Sequence, residues 1–170
     1  ILINGSIGDH GMAVMSARNQ LNISTKVESD CASLNGLINS LSDFKSQIRF
    51  MRDATRGGLA TVSAELCKDQ HFGIRLFEDK IPLNEGVRGI CELLGFDPLY
   101  VANEGKVVMV VAEEIADEVL ETMEKHELGK AAAIIGEITS GHAGKCFLET
   151  QIGGNRIVDM LAGEQLPRIC

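Results

Sequence analysis

The run Lys106-Val107-Val108-Met109-Val110-Val111 constrains this chain most. Every position after the lysine is apolar, and four of the six residues are valine. Branching at Cβ favours extended backbone. An apolar run without polar alternation belongs in the interior of a sheet rather than at its edge. The rest of the chain is therefore read as the strands and helices that enclose this one.

Residues 1–4 form a short apolar run, read as a strand because a glycine loop and a helix come next. Gly5-Ser6-Ile7-Gly8-Asp9-His10-Gly11 is a loop with three glycines, and residues 12–18 read as a helix with Asp9 as its cap. Leu34, Leu37, Ile38 and Leu41 make an amphipathic stripe, capped by Ser33. Residues 48–51 are a strand candidate, followed by Arg52-Asp53-Ala54-Thr55-Arg56-Gly57-Gly58 and a helix over 59–67. Two units of strand, polar glycine loop and helix start suggest two loops converging on one ligand. Such helix starts offer free N–H groups and a positive dipole end to an anion.

A further strand is expected over 73–77. A helix through Val87, Ile90, Leu93 and Leu94 should stop at Gly95, and 97–102 is extended or turn-like. Asn103-Glu104-Gly105 is a tight polar turn. A helix over 112–125 carries Ile115, Val119, Leu120 and Met123 on one face. Residues 131–138 are strand-like, and 146–150 with 155–158 form a hairpin around Gly153-Gly154. Strands and helices mix without strict alternation. The expected fold is α+β, an open mixed β-sheet with helices packed on one face. Residues 1–160 are read as one domain and 161–170 as a flexible tail.

Composition narrows the function. A net charge of −8 and a pI near 5.0 exclude a nucleic-acid or anionic-membrane surface. No apolar run approaches the roughly 20 residues that span a bilayer. The five cysteines contain no Cys-x-x-Cys pair, and the four histidines show no ligand spacing. A reduced, cytoplasmic setting is expected, and no metal ligand is assigned. The chain starts at Ile1 inside a strand-like run, which is read as a fragment lacking an N-terminal portion.

Chemistry concentrates in four places. In the first loop, Gly8 and Asp9 would face a nucleotide, and His10 would donate or transfer a proton; the same residues also fit a glycine turn capped by Asp9. In the second loop, Arg52 and Arg56 suit anions, Asp53 suits capping or orienting an arginine, and Thr55 suits a phosphate oxygen. The Gly57-Gly58 pair suggests close backbone approach. A capped helix with solvated arginines explains these residues about equally well. Glu104 stands in a turn at the end of the buried strand, where a general base is often held. The last residue, Cys170, follows Pro167-Arg168-Ile169 and is either a mobile thiol or an accidental surface cysteine.

Taken together, GSIGDHG, MRDATRGGLA, ANEGK and a terminal PRIC resemble the C-terminal domain of the HypE family. These are the carbamoyl dehydratases of hydrogenase maturation, within the aminoimidazole ribonucleotide synthetase-like superfamily. The likeness runs over essentially the whole chain, and PRIC is its most specific sign. It implies that a HypF-type carbamoyltransferase loads a carbamoyl group onto Cys170. ATP then drives its dehydration to a thiocyanate, and the cyano group passes to iron on a HypC–HypD complex for [NiFe]-hydrogenase assembly. By the same resemblance Glu104 is the carboxylate that deprotonates the carbamoyl nitrogen, and His10 is a second catalytic candidate. Gly8, Asp9, Asp53, Thr55, Arg56, Gly57 and Gly58 would lie at the ATP site. The ATP lysines and the Mg2+ aspartates would sit in a missing N-terminal domain, which would also make a homodimer. Ala54 stands where many relatives carry proline. Two other readings remain: a small-molecule kinase or synthetase of the same superfamily, which needs no terminal thiol, and a non-catalytic partner-docking domain.

Overall fold

The computed structural model describes residues 1–18 and 27–161. The tail from 162 to Cys170 lies outside the described residues, as do residues 19–26 between the first two helices.

The valine-rich run is strand β4 (Val107–Val111), and it is interior. On one side it pairs with β1 (Leu2–Ile3) and on the other with β2 (Ile48–Asp53), both antiparallel. A short β5 (Ala133–Ile134) pairs with β1, so the first sheet has the order β2-β4-β1-β5. Side chains alternate across a strand, and here both faces are covered. Val107 and Met109 join Leu2 against α2 (Asn35–Ser40) and α5 (Ala116–Glu124). Val108 and Val110 join Ile1 and Ile3 in the core on the other face. That double covering is why the run has no polar alternation.

The second sheet has the order β6-β3-β7-β8, formed by β3 (Gly73–Phe77), β6 (Gly136–Thr139), β7 (Cys146–Glu149) and β8 (Asn155–Val158). β3 and β7 run parallel; the other pairs are antiparallel. Ile74, Leu76, Cys146, Leu148 and Val158 point into the core shared with the first sheet. Arg75 faces outward, paired with Glu137 and Glu149. Between the sheets lies α3 (Gly58–Cys67), whose Leu59, Ala60, Val62 and Cys67 are all buried. A third cluster joins α1 (Asp9–Arg18) to α4 (Glu85–Leu94) through Met12, Met15, Val87, Ile90 and Cys91.

The fold is α+β, as expected, but the strands divide into two sheets, and helices cover both faces of the first. The run 131–138 is split at Ile135 into β5 and β6, one strand in each sheet. Its apolar residues serve two layers, which a single strand pattern cannot reveal. The helix expected over 112–125 opens with a 3-10 turn, Glu113–Ile115. Ser33 does not cap α2; its hydroxyl donates to Asn35 Oδ1. Gly95 ends α4 as expected, with φ of 73°. Among the described residues no helix is long and apolar enough to cross a membrane.

Burial also sorts the thiols. Cys67, Cys91 and Cys146 are buried and Cys31 is exposed. Burial pushes the Cys91 thiol up to about 11 and Cys146 to about 12, and raises Cys67 as well. Only thiolate reacts with alkylating agents. Brief iodoacetamide treatment of the native chain at pH 7.5, read by peptide mass, should label Cys31 and spare these three until the protein is unfolded.

Candidate active site

The two glycine loops meet through one buried side chain. Asn103 is fully buried. Its Oδ1 accepts the Gly8 N–H at 2.8 Å, and its Nδ2 donates to Ala54 O at 2.7 Å and Val101 O at 3.3 Å. One amide therefore ties the first loop to the second. A buried amide left unpaired is costly, so satisfying both ends holds the loops in one arrangement. The second loop is also tied to the residue just before β4, because Ala54 N–H donates to Lys106 O at 3.1 Å. Proline cannot make that bond, so alanine here adds a bond where many relatives are expected to carry proline.

The first loop is more ordered than its glycines suggest. Gly8 has φ of 81°, which glycine adopts without strain. Asp9 is not an N-cap outside the helix; it is the first residue of α1. It is buried, and its carboxylate accepts from Ser6 Oγ at 2.5 Å and Asn84 Nδ2 at 2.6 Å. His10 is half-buried, with Nδ1 at 2.8 Å from Ser29 Oγ.

The second loop lines a cleft of about 620 Å³. Its walls are Arg52, Thr55, Arg56, Thr61, Glu65 and Glu104. Thr55 Oγ1 donates to Asp53 Oδ2 at 3.3 Å, at the end of β2, and Arg52 pairs with Glu65 across the rim. Gly57 has φ of 71° and stands at the N-cap of α3. The expectation that the glycine pair allows close approach to a ligand has an internal explanation at Gly58. A Cβ there would stand 2.5 Å from Leu99 O and 2.6 Å from Val101 O, so glycine lets α3 press against its own 99–101 segment.

Glu104 is half-buried between buried Asn103 and Gly105. Its N–H donates to Asp30 Oδ1 at 3.1 Å. Asn4 supports the turn from below: Nδ2 donates to Gly105 O at 3.1 Å, and Oδ1 accepts Val107 N–H at 2.8 Å.

Of the residues singled out from the sequence, Glu104, Arg52, Thr55 and Arg56 share the cleft. Gly8, Asp53, Gly57 and Gly58 form its supporting loops. His10 and Asp9 are not among its lining residues, and Cys170 lies outside the described residues. Sequence reasoning missed Asn103, Asp30, Asn4, Thr61 and Glu65. Two of them carried a readable signal: an asparagine stands at either end of the buried strands, Asn4 after β1 and Asn103 before β4. Cations and a hydroxyl on one wall suit an anionic ligand such as a phosphate chain. Among the described residues no three His, Cys, Asp or Glu side chains stand together as a metal site.

Residues 1–149 match the family described as AIR synthase related protein, C-terminal domain, and the chain belongs to that family. Within it the likeness narrows to HypE. The carbamoyl dehydratase HypE of Bradyrhizobium diazoefficiens is 49% identical over 171 residues, covering 100% of this chain and 49% of that protein. A chain in the crystal structure of a HypE–HypF complex superposes with a TM-score of 0.89 at 48% identity, covering 94% of this chain and 52% of the other. HypE crystallised with ATP gives 0.91 at 42% identity, with 99% and 52% covered. The chain spans about half the length of the curated relatives it matches.

The Asn103 bridge generates a test. Asn103→Ala leaves the Gly8 N–H and Ala54 C=O without their partner. At about 1–3 kcal/mol per unsatisfied buried group, the loss should total a few kcal/mol. Urea unfolding should show it, and amide exchange should accelerate at Gly8 before it does in β4.

Proposed function

We propose that this chain is the C-terminal half of an ATP-dependent carbamoyl dehydratase whose substrate is carried on Cys170. The observation that carries the reading is where the tail begins. The Leu161 N–H donates to Thr61 Oγ1 at 3.4 Å, and Thr61 is a wall of the Glu104 cleft. Cys170 is nine residues further on. At about 3.3–3.6 Å per extended residue, its thiol has a reach of up to about 30 Å, ample to enter the cleft or to leave it for a partner. The half-length match to proteins named carbamoyl dehydratase agrees with this reading.

The chemistry assigns each group a task. The Cys170 thiolate attacks the carbonyl carbon of the carbamoyl donor, the donor's leaving group departs, and an S-carbamoyl group results. Its oxygen is a poor leaving group, and ATP supplies the phosphoryl group that makes it a good one. Arg52, Arg56 and the Thr55 hydroxyl would hold the phosphates at the start of α3. One nitrogen proton leaves as the carbamoyl oxygen is phosphorylated, and Glu104 takes the second as the C–O bond breaks. The nitrogen electrons complete the C≡N bond, leaving a thiocyanate on sulfur and phosphate in solution. His10, tied to Ser29, is the second proton-transfer candidate, and Gly8, Asp9, Asp53, Gly57 and Gly58 support the nucleotide site. Mg2+ and the remaining ATP contacts belong to the N-terminal half of the full-length protein, which also forms the homodimer. The carbamoyl group comes from a HypF-type carbamoyltransferase, and the cyano group goes to iron on a HypC–HypD complex, in the cytoplasm.

The test is the mass of the C-terminal peptide of the full-length protein after incubation with carbamoyltransferase, carbamoyl phosphate and ATP. Cys170 should carry a carbamoyl adduct that loses one water as ATP turns over, and Cys170→Ala should carry none. An unmodified Cys170 with ATP still consumed would instead identify a small-molecule kinase or synthetase.

A further inference from the structure

Residues 27–34 form neither helix nor strand, yet they hold the catalytic turn from outside. Asp30 is the centre of that contact. Its side chain is only 6% exposed. Oδ2 accepts from Lys106 Nζ at 2.7 Å, and Oδ1 accepts the Glu104 N–H at 3.1 Å. The Asp30 main chain presses on the same turn: a Cβ on Gly105 would stand 2.0 Å from Asp30 O. The preceding residue, Ser29, holds the His10 ring. Two adjacent residues thus touch both residues that carry the candidate proton-transfer groups: Ser29 at the His10 ring and Asp30 at the Glu104 amide.

A buried ion pair is a poor stabiliser in itself, because desolvation offsets much of the attraction. Apolar residues would anchor the segment as well. What an apolar residue cannot do is accept the Glu104 N–H. That bond fixes the peptide plane from which the Glu104 side chain springs, while Asn103 fixes the residue before it. We infer that Asp30 is a positioning residue: through the Glu104 amide it sets the direction in which the Glu104 carboxylate enters the cleft. The inference rests on the dehydratase reading for its functional consequence, but the amide contact stands apart from it. Lys106 neutralises the buried charge, and its stem lies against Gly5, 3.4 Å from where a Cβ would be.

Asp30→Ala alone would strand the Lys106 ammonium, so the comparison is made in Lys106→Met, which keeps the stem. Asp30→Asn in that background retains an oxygen for the Glu104 N–H; Asp30→Ala does not. In the full-length protein, ATP-driven loss of water from S-carbamoyl Cys170 should be within about threefold of the unsubstituted rate for Lys106→Met and for the double variant D30N/K106M. In D30A/K106M it should fall by about 10- to 100-fold, the scale set by misplacing a catalytic group by about 1 Å. KM for ATP should stay within about twofold in both double variants. Amide exchange should quicken at Glu104 at least about tenfold in D30A/K106M only, with Val108 unchanged. Equal dehydration rates in the two double variants, or equal Glu104 protection, overturns the inference. So does a Glu104 amide that exchanges freely in the unsubstituted protein. If the unsubstituted protein forms no thiocyanate, the dehydratase reading fails, and the exchange comparison still decides whether Asp30 holds Glu104.

Discussion

The site depends on the Asn103 side chain. Its carbonyl holds the Gly8 N–H, and its amide holds Ala54 O and Val101 O. The two loops are 46 residues apart in sequence, counting from Gly8 to Ala54, and each leads into its own helix. Among the described residues no backbone pairing between the loops holds them together. A fully buried amide with both ends satisfied does so at the centre of the fold, where an unmade bond would be costly.

The central strand gives that amide its fixed place. β4 is clamped between β1 and β2 in the sheet and by packed side chains on both faces. The turn before it, 103–105, therefore has a rigid end. Asn4, leaving β1, braces it through Gly105 O and Val107 N–H. Asp30 closes the turn from the far side. Glu104 therefore lines the cleft from a backbone with little freedom.

Much of the fold was legible because local signals dominate it. The β4 run, the α3 and α4 patterns, the Gly95 stop and the β7–β8 hairpin are each written in a short window of residues. The division into two sheets was not, because a short apolar run such as 131–138 does not say which partner each half will pair with. Asp9 read as a helix cap, since a sequence does not show that Ser6 and Asn84 will fill both of its oxygens. Gly58 read as a ligand approach, since its real neighbours, Leu99 O and Val101 O, are about 40 residues away.

From the amino-acid sequence alone come the class of fold, the interior strand, the two glycine loops, the Glu104 turn and the kinship they imply. Each follows from residues adjacent in the chain, where propensity and period act directly. Only the tertiary structure decided which residues hold the site. Asn103, Asp30 and Thr61 contribute through partners 49, 74 and 100 residues distant. A polar residue shows its role only when the partner that satisfies it is known, and long-range packing chooses that partner.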